Sequence, residues 1–114
     1  MNSKQTAVQA FETLDIRAGT IVEAEPLAGA RAPAYKLVVD FGETIGTRAS
    51  SAQLTANYAA DALIGIQVLA VVNFPPKRIA GFSSDVLILG VPDATGAVVL
   101  IRPDRPVPNG GRLF

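Results

Sequence analysis

Five or six short β-branched runs, turn-forming residues at roughly eight- to twelve-residue spacing, and one helical pattern between the third and fourth runs predict a mainly-β chain. Together they describe a five-stranded oligonucleotide- and oligosaccharide-binding (OB) barrel with a short helix between strands three and four. An N-terminal helical extension (residues 1–14) precedes the barrel (15–101), and a C-terminal extension (102–114) follows it. The barrel is organised around residues 68–90, VLAVVNFPPKRIAGFSSDVLILG. Its two all-apolar runs, 68–72 and 86–89, read as strands buried on both faces. Pro75 and Pro76 cannot donate to a ladder, so the first run stops near Asn73 and leaves Lys77 and Arg78 on a stiff loop.

The elements follow in order. Residues 6–14 (TAVQAFETL) space Val8 and Phe11 for a short helix lying on the core. Residues 15–24 (DIRAGTIVEA) alternate around Gly19 and form strand one, the glycine marking a bulge or bend. A turn-rich connection carries Arg31 to strand two, residues 35–41 (YKLVVDF). A tight link at 42–44 leads to strand three over 45–51. With Phe41 opposite Ile45, Lys36, Val38 and Asp40 face outward, Lys36 lies across from Ser50, and Arg48 sits diagonally beside Lys36 and Asp40. Arg48 is then either part of a binding patch or only a surface ion-pair partner of Asp40. Residues 52–63 make one short helix plus a turn, strand four begins at Ile66, strand five is split around Gly81, and 96–101 form a sixth strand. Residues 102–114, with three prolines, take an extended path.

Composition removes several classes of function. The chain of 114 residues suits one domain, and it has neither cysteine nor histidine. That excludes disulfides and thiol chemistry and takes away the commonest general base and metal ligand. Ser50 and Ser51 have no base to activate them, the acids are scattered, and the glycines match no phosphate or dinucleotide loop. A non-enzyme without metal or cofactor is expected. No apolar run reaches membrane-spanning length and no apolar leader opens the chain, so a cytoplasmic protein without membrane insertion is expected. Ten basic residues balance ten acidic ones. Basic residues still gather locally: Arg31 and Lys36 stand without acidic neighbours, and residues 102–114 hold three arginines against one aspartate. An apolar fraction of 49% in so small a chain suggests a face covered by a partner.

In an OB barrel, ligands meet the face of strands two and three and the loops after strands one and four. Those places hold Arg31, Lys36, Arg48, Lys77 and Arg78 for phosphates, and Ser50, Ser51 and Asn73 for hydrogen bonds to sugar or base edges. Phe74 and Phe82 can stack on splayed bases, although Phe82 reads better as a core or dimer residue. An alternative ligand is an extended polypeptide in an apolar groove, for which Phe11, Phe74, Phe82, Val107 and Leu113 are the candidate walls or dimer contacts.

Five segments in order, DIRAGTIVEAE, YKLVVDFG, SSAQLT, ALIGIQVLAVVNFPPKRIAGFSSDVLILG and RPDRPVPNGGRL, carry a resemblance that covers nearly the whole chain. The chain resembles the tRNA-binding-domain family found at the C-terminus of methionyl-tRNA synthetases and in endothelial monocyte-activating polypeptide II. Within it, the secretion-chaperone (CsaA-like) branch is the more similar. The resemblance implies a homodimer assembled through the segments flanking the barrel, with tRNA and unfolded precursor polypeptides as partners. Val86-Leu87 follow Asp85 where the tRNA-binding members carry Gly-Met, as in the chaperone branch. With the neutral charge and the absence of a lysine-rich flank, this points to chaperone work with weak tRNA binding; the alternative is an RNA-binding protein with no chaperone role.

Overall fold

The computed structural model describes residues 5–114. A one-turn-plus helix α1 (Ala7–Thr13) leads into β1 (Ile16–Pro26) and β2 (Tyr35–Asp40). A single helical turn α2 (Gly42–Ile45) connects to β3 (Thr47–Ala52), and another, α3 (Ala60–Leu63), to β4 (Gln67–Val71). Five short strands follow: β5 (Lys77–Ile79), β6 (Phe82–Ser84), β7 (Leu87–Ile88), β8 (Gly90–Pro92) and β9 (Val98–Leu100). Strands pair antiparallel in the order β3-β2-β1-β4-β7, while β5-β6 and β8-β9 form separate ribbons. Asp85 N donates to Ala49 O at 2.8 Å, drawing the two edges of the sheet together into a nearly closed, OB-like barrel.

Alternation on β2 puts Tyr35, Leu37 and Val39 inside, and Phe41, Ile21, Leu54, Leu63 and Val68 complete a core of fully buried side chains. Each such side chain contributes about 1.5–3 kcal/mol by leaving water. Gly19 is required by packing: a β carbon there would lie 2.7 Å from the Phe41 ring and from Val39. The break in β1 falls two residues later, between Ile21 and Glu23. β1 is long enough to serve two partners, β4 along residues 16–20 and β2 along 20–26. Its remaining edge is covered by the C-terminal segment, with Ala18 N donating to Gly111 O, Gly110 N to Ala18 O, and Leu113 N to Ile16 O.

Four expectations need correction. First, strand three starts later, because residues 42–45 coil into a helical turn: Gly42 takes φ +90°, Asp40 Oδ1 caps its N–H at 2.9 Å, and Phe41 N donates to Gly46 O. The first pair after this turn is Asp40 with Thr47, so Lys36 pairs with Ser51 and Leu37 with Ser50. This register is one residue away from the expected one, and such a slip moves every side chain of the strand to its other face. Second, the segment before β4 is mostly non-helical. Asn57 and Tyr58 are drawn to the β8-β9 ribbon, Asn57 Nδ2 reaching Asp93 Oδ2 and Val98 O at 3.0 Å and Leu100 N donating to the Tyr58 hydroxyl at 3.1 Å. Third, Lys77 and Arg78 lie on a strand, β5, rather than a loop. Fourth, α1 does not lie on the core. Thr6 and Gln9 form a capping box at its start, yet none of its residues is buried, and Val8 and Phe11 are 67% and 43% exposed. Among the described residues no helix is long and apolar enough to cross a membrane.

Candidate ligand groove

A concavity of about 990 Å³ opens between the loop after β1 (residues 27–34) and the β5-β6 hairpin. Local sequence explains both walls. Residues 27–34 (LAGARAPA) bend at Gly29 and are tied at the base by Leu27 N donating to Ala34 O at 3.0 Å. The Pro75-Pro76 pair ends the β4 run, and the chain then doubles back through Ala80 and Gly81 with Ile79 paired to Phe82. The floor comes from the end of β3 and from β7, including Ala52, Leu54, Val86 and Ile88.

Of the residues singled out in the sequence, Arg31, Ser51, Phe74, Lys77 and Arg78 line this groove. Phe74 is 42% exposed there. Arg31, Lys77 and Arg78 are exposed cations, and none of them is in an ion pair among the described residues. Arg78 Nη2 donates to Gly81 O at 2.9 Å, which stiffens the hairpin tip and leaves the rest of the guanidinium open. Three cations outside any ion pair, beside the apolar Ala52, Leu54, Val86 and Ile88 and with Asp85 as an acid in the lining, suit an extended polymer that carries both apolar and anionic groups.

The other candidates lie elsewhere. Ser50 is fully buried and donates to Val86 O at 3.2 Å, so its proposed bond to a sugar or base has no route. Arg48, on the same face as Ser50 after the register change, is half-buried with Nε 3.4 Å from Ile45 O, and it forms neither the expected patch with Lys36 nor an ion pair with Asp40. Asn73 is committed on both ends: Oδ1 accepts from Asp15 N at 3.0 Å and Nδ2 donates to Thr13 O at 2.9 Å, fastening α1 to β4. Lys36 is outside the groove, bonded to Glu25 at 2.7 Å with its ammonium 5.8 Å from the centre of the Phe82 ring. Phe11, Val107 and Leu113 lie on the segments that meet at β1. Arg112 Nη2 donates to Glu12 O, Leu113 N donates to Ile16 O, and Gln67 holds the Val107 backbone on both its N–H and its carbonyl.

Leu87 escaped the sequence reading. It is 49% exposed and lines the groove, although it belongs to a run that reads as buried on both faces. Only the pairing shows why: β7 is the edge strand of the sheet, bonded to β4 alone.

A small barrel with an apolar groove and a cationic rim over strand three and the hairpin is an OB-type binding module. The chain belongs to the putative tRNA binding domain family, whose model matches residues 16–112. It is 51% identical to the chaperone CsaA of Bacillus anthracis str. Ames, covering 97% of this chain and 100% of that one with a TM-score of 0.88. The CsaA chaperone protein of Picrophilus torridus is 45% identical over 96% and 99% of the two chains, TM-score 0.89. Among curated proteins, the methionine–tRNA ligase of Methanothrix thermoacetophila is 38% identical over 100 residues, which is 88% of this chain and 14% of the ligase. The chain thus spans about a seventh of the curated relatives it matches.

Proposed function

We propose that this protein is a cytoplasmic, homodimeric, export-related chaperone that holds unfolded polypeptides in the groove and binds tRNA weakly at the same cationic rim. The observation that carries this reading is the groove itself, in which Phe74 and Leu87 offer exposed apolar surface beside the uncommitted Arg31, Lys77 and Arg78. Extended segments of many sequences bind such a surface through apolar contact and main-chain hydrogen bonds. The two solved relatives described as chaperones, matched over 100% and 99% of their chains, support it. The dimer reading is supported by apolar side chains left in water on the segments flanking the barrel, Val8 and Phe11 on α1 and Val107 on the C-terminal segment. We read the chain as non-catalytic: it spans a small part of the ligases it resembles, and their activity is not assigned to it.

The test is aggregation of a chemically unfolded precursor, followed by turbidity with and without the pure protein. The expected result is slower aggregation, with excess tRNA competing. An unchanged aggregation curve together with tRNA retention on a filter would turn the assignment to the second reading, RNA binding alone, which the family description favours. Mass from light scattering tests the dimer separately, and a value near the 11.9 kDa of one chain would reject it.

A further inference from the structure

We propose that Gly29 and Ala80 form a latch across the groove, a close approach of its two walls that must part to admit an extended chain from the side. This rests on the reading above that the groove is the holding site. The β5-β6 hairpin turns through two residues with positive φ, Ala80 at 52° and Gly81 at 79°. These are the angles of a type I′ turn, whose first position normally goes to Asn, Asp or Gly because other side chains crowd the backbone there. Alanine breaks that rule at the residue that faces the opposite wall. A β carbon placed on Gly29 would lie 3.7 Å from the Ala80 β carbon, ordinary van der Waals contact. Gly29 itself has φ +82°, so it too carries the backbone of a bent tip rather than of a strand.

Each wall is fastened only at its base. Leu27 N bonds Ala34 O beneath the loop, and Asp85 N and Ser51 N bond Ala49 O and Ser84 Oγ beneath the hairpin. Among the described residues no hydrogen bond crosses between the tips, and across the gap the Ala80 methyl faces a glycine with no side chain. Such a contact closes the gap yet holds with little area, so it opens at low cost. A strand needs about 4.7–4.9 Å of lateral room beside each neighbour, which two tips this close do not leave between them. A long polypeptide with no free end nearby therefore enters by parting the latch, and reclosure retains it.

The contact distance allows a direct test. A β-carbon separation of 3.7 Å falls in the range that disulfides span, and the chain has no cysteine of its own to interfere. The variant Gly29→Cys/Ala80→Cys is oxidised with diamide, which takes up the two electrons and two protons released as the thiols join. The probe is fluorescent, reduced and carboxymethylated α-lactalbumin, an unfolded chain without thiols. The reduced variant carries two longer side chains at positive φ, so it serves as the reference for its own oxidised form and is expected to capture the probe. The oxidised variant should capture it about tenfold more slowly than the reduced one, and a complex oxidised after loading should release it about tenfold more slowly, since a closed latch hinders passage in both directions. In Ala80→Asn the turn keeps a favoured residue while the longer side chain props the tips apart, so capture and release should both quicken; this variant serves if the cysteine pair fails to fold. Oxidised protein with its bridge verified by mass that binds and releases like the reduced form would overturn the latch. Failure of the bridge to form in folded protein would overturn the wall-to-wall contact. If the wild type does not bind the probe at all, the holding-site reading falls and the latch with it.

Discussion

Along the seam where residues 107–113 lie on β1, polar side chains are bound to internal partners, whereas along the groove the cations are left free. Thr20 and Gln67 both converge on Asn109 Oδ1, at 2.8 and 3.1 Å, and Arg17 reaches Gly110 O at 2.9 Å while also pairing with Asp15. Arg31 and Lys77 have no such partners among the described residues. A charge-assisted bond to a fixed backbone group positions the chain; an exposed, unpaired charge adds little to stability and is available to a ligand. Changes at the seam should therefore move stability, and changes at the rim should move binding.

The largest effect is expected at Gly110. Its φ is +91° and a β carbon there would lie 2.6 Å from Phe41 O, backbone that has no room to shift. Gly110→Ala should cost about 2–4 kcal/mol from strain and overpacking together, read as a lower denaturant midpoint, with binding per folded molecule unaltered. A loss within about 0.5 kcal/mol would erase the distinction between seam and rim. Next comes Lys77→Ala with Arg78→Ala, which should leave the midpoint within about 0.5 kcal/mol of wild type. tRNA retained on a filter at low salt should fall, and the log-log salt slope should flatten by about 1.4, from about 0.7 per lost phosphate contact on single strands. Arg48→Ala is the control that sharpens this pair, since its half-buried side chain lies outside the groove and retention should not change.

The smallest effect concerns Asp93, a third committed site, on the β8-β9 ribbon. Bonds from Asn57 and from the side chain and backbone of Thr95 lower its carboxyl from 3.8 to about 2. Because the folded value is depressed, the stabilisation is present above pH 3.8 and is lost as pH falls through about 2. Asn57→Ala removes the largest of these bonds. The carboxyl carbon of Asp93 should then titrate nearer 3.8, as followed by NMR.

These contrasts also show what the sequence made legible. The barrel was readable because apolar alternation and the Pro-Pro stop are local signals, and the loop position of Arg31 followed from strand order alone, whereas Lys77, expected on a loop, lies on β5. The outer patch of Lys36, Arg48 and Ser50 was not, because register depends on one glycine: a helical turn at Gly42 consumes one more residue than a tight turn, and Arg48 and Ser50 change faces. Asn73 looks like a turn residue in the sequence, and its two bonds, to Thr13 at the end of α1 and to Asp15 just before β1, join positions 60 and 58 apart. Leu87 was missed for a related reason, since hydrophobicity cannot distinguish an edge strand from a central one.

The covering of β1 by residues 110–113 has a consequence for how the molecule is made. During synthesis β1 emerges ahead of its cover, and the bond from Arg17 waits for Gly110, 93 positions further on. Until then the first strand keeps an open edge, and pairing over so long a separation is slow to form. A nascent chain of this protein therefore passes through a stage in which it is itself a partly unpaired polypeptide, exposed to the same hazards of premature association as any chain that has not finished folding.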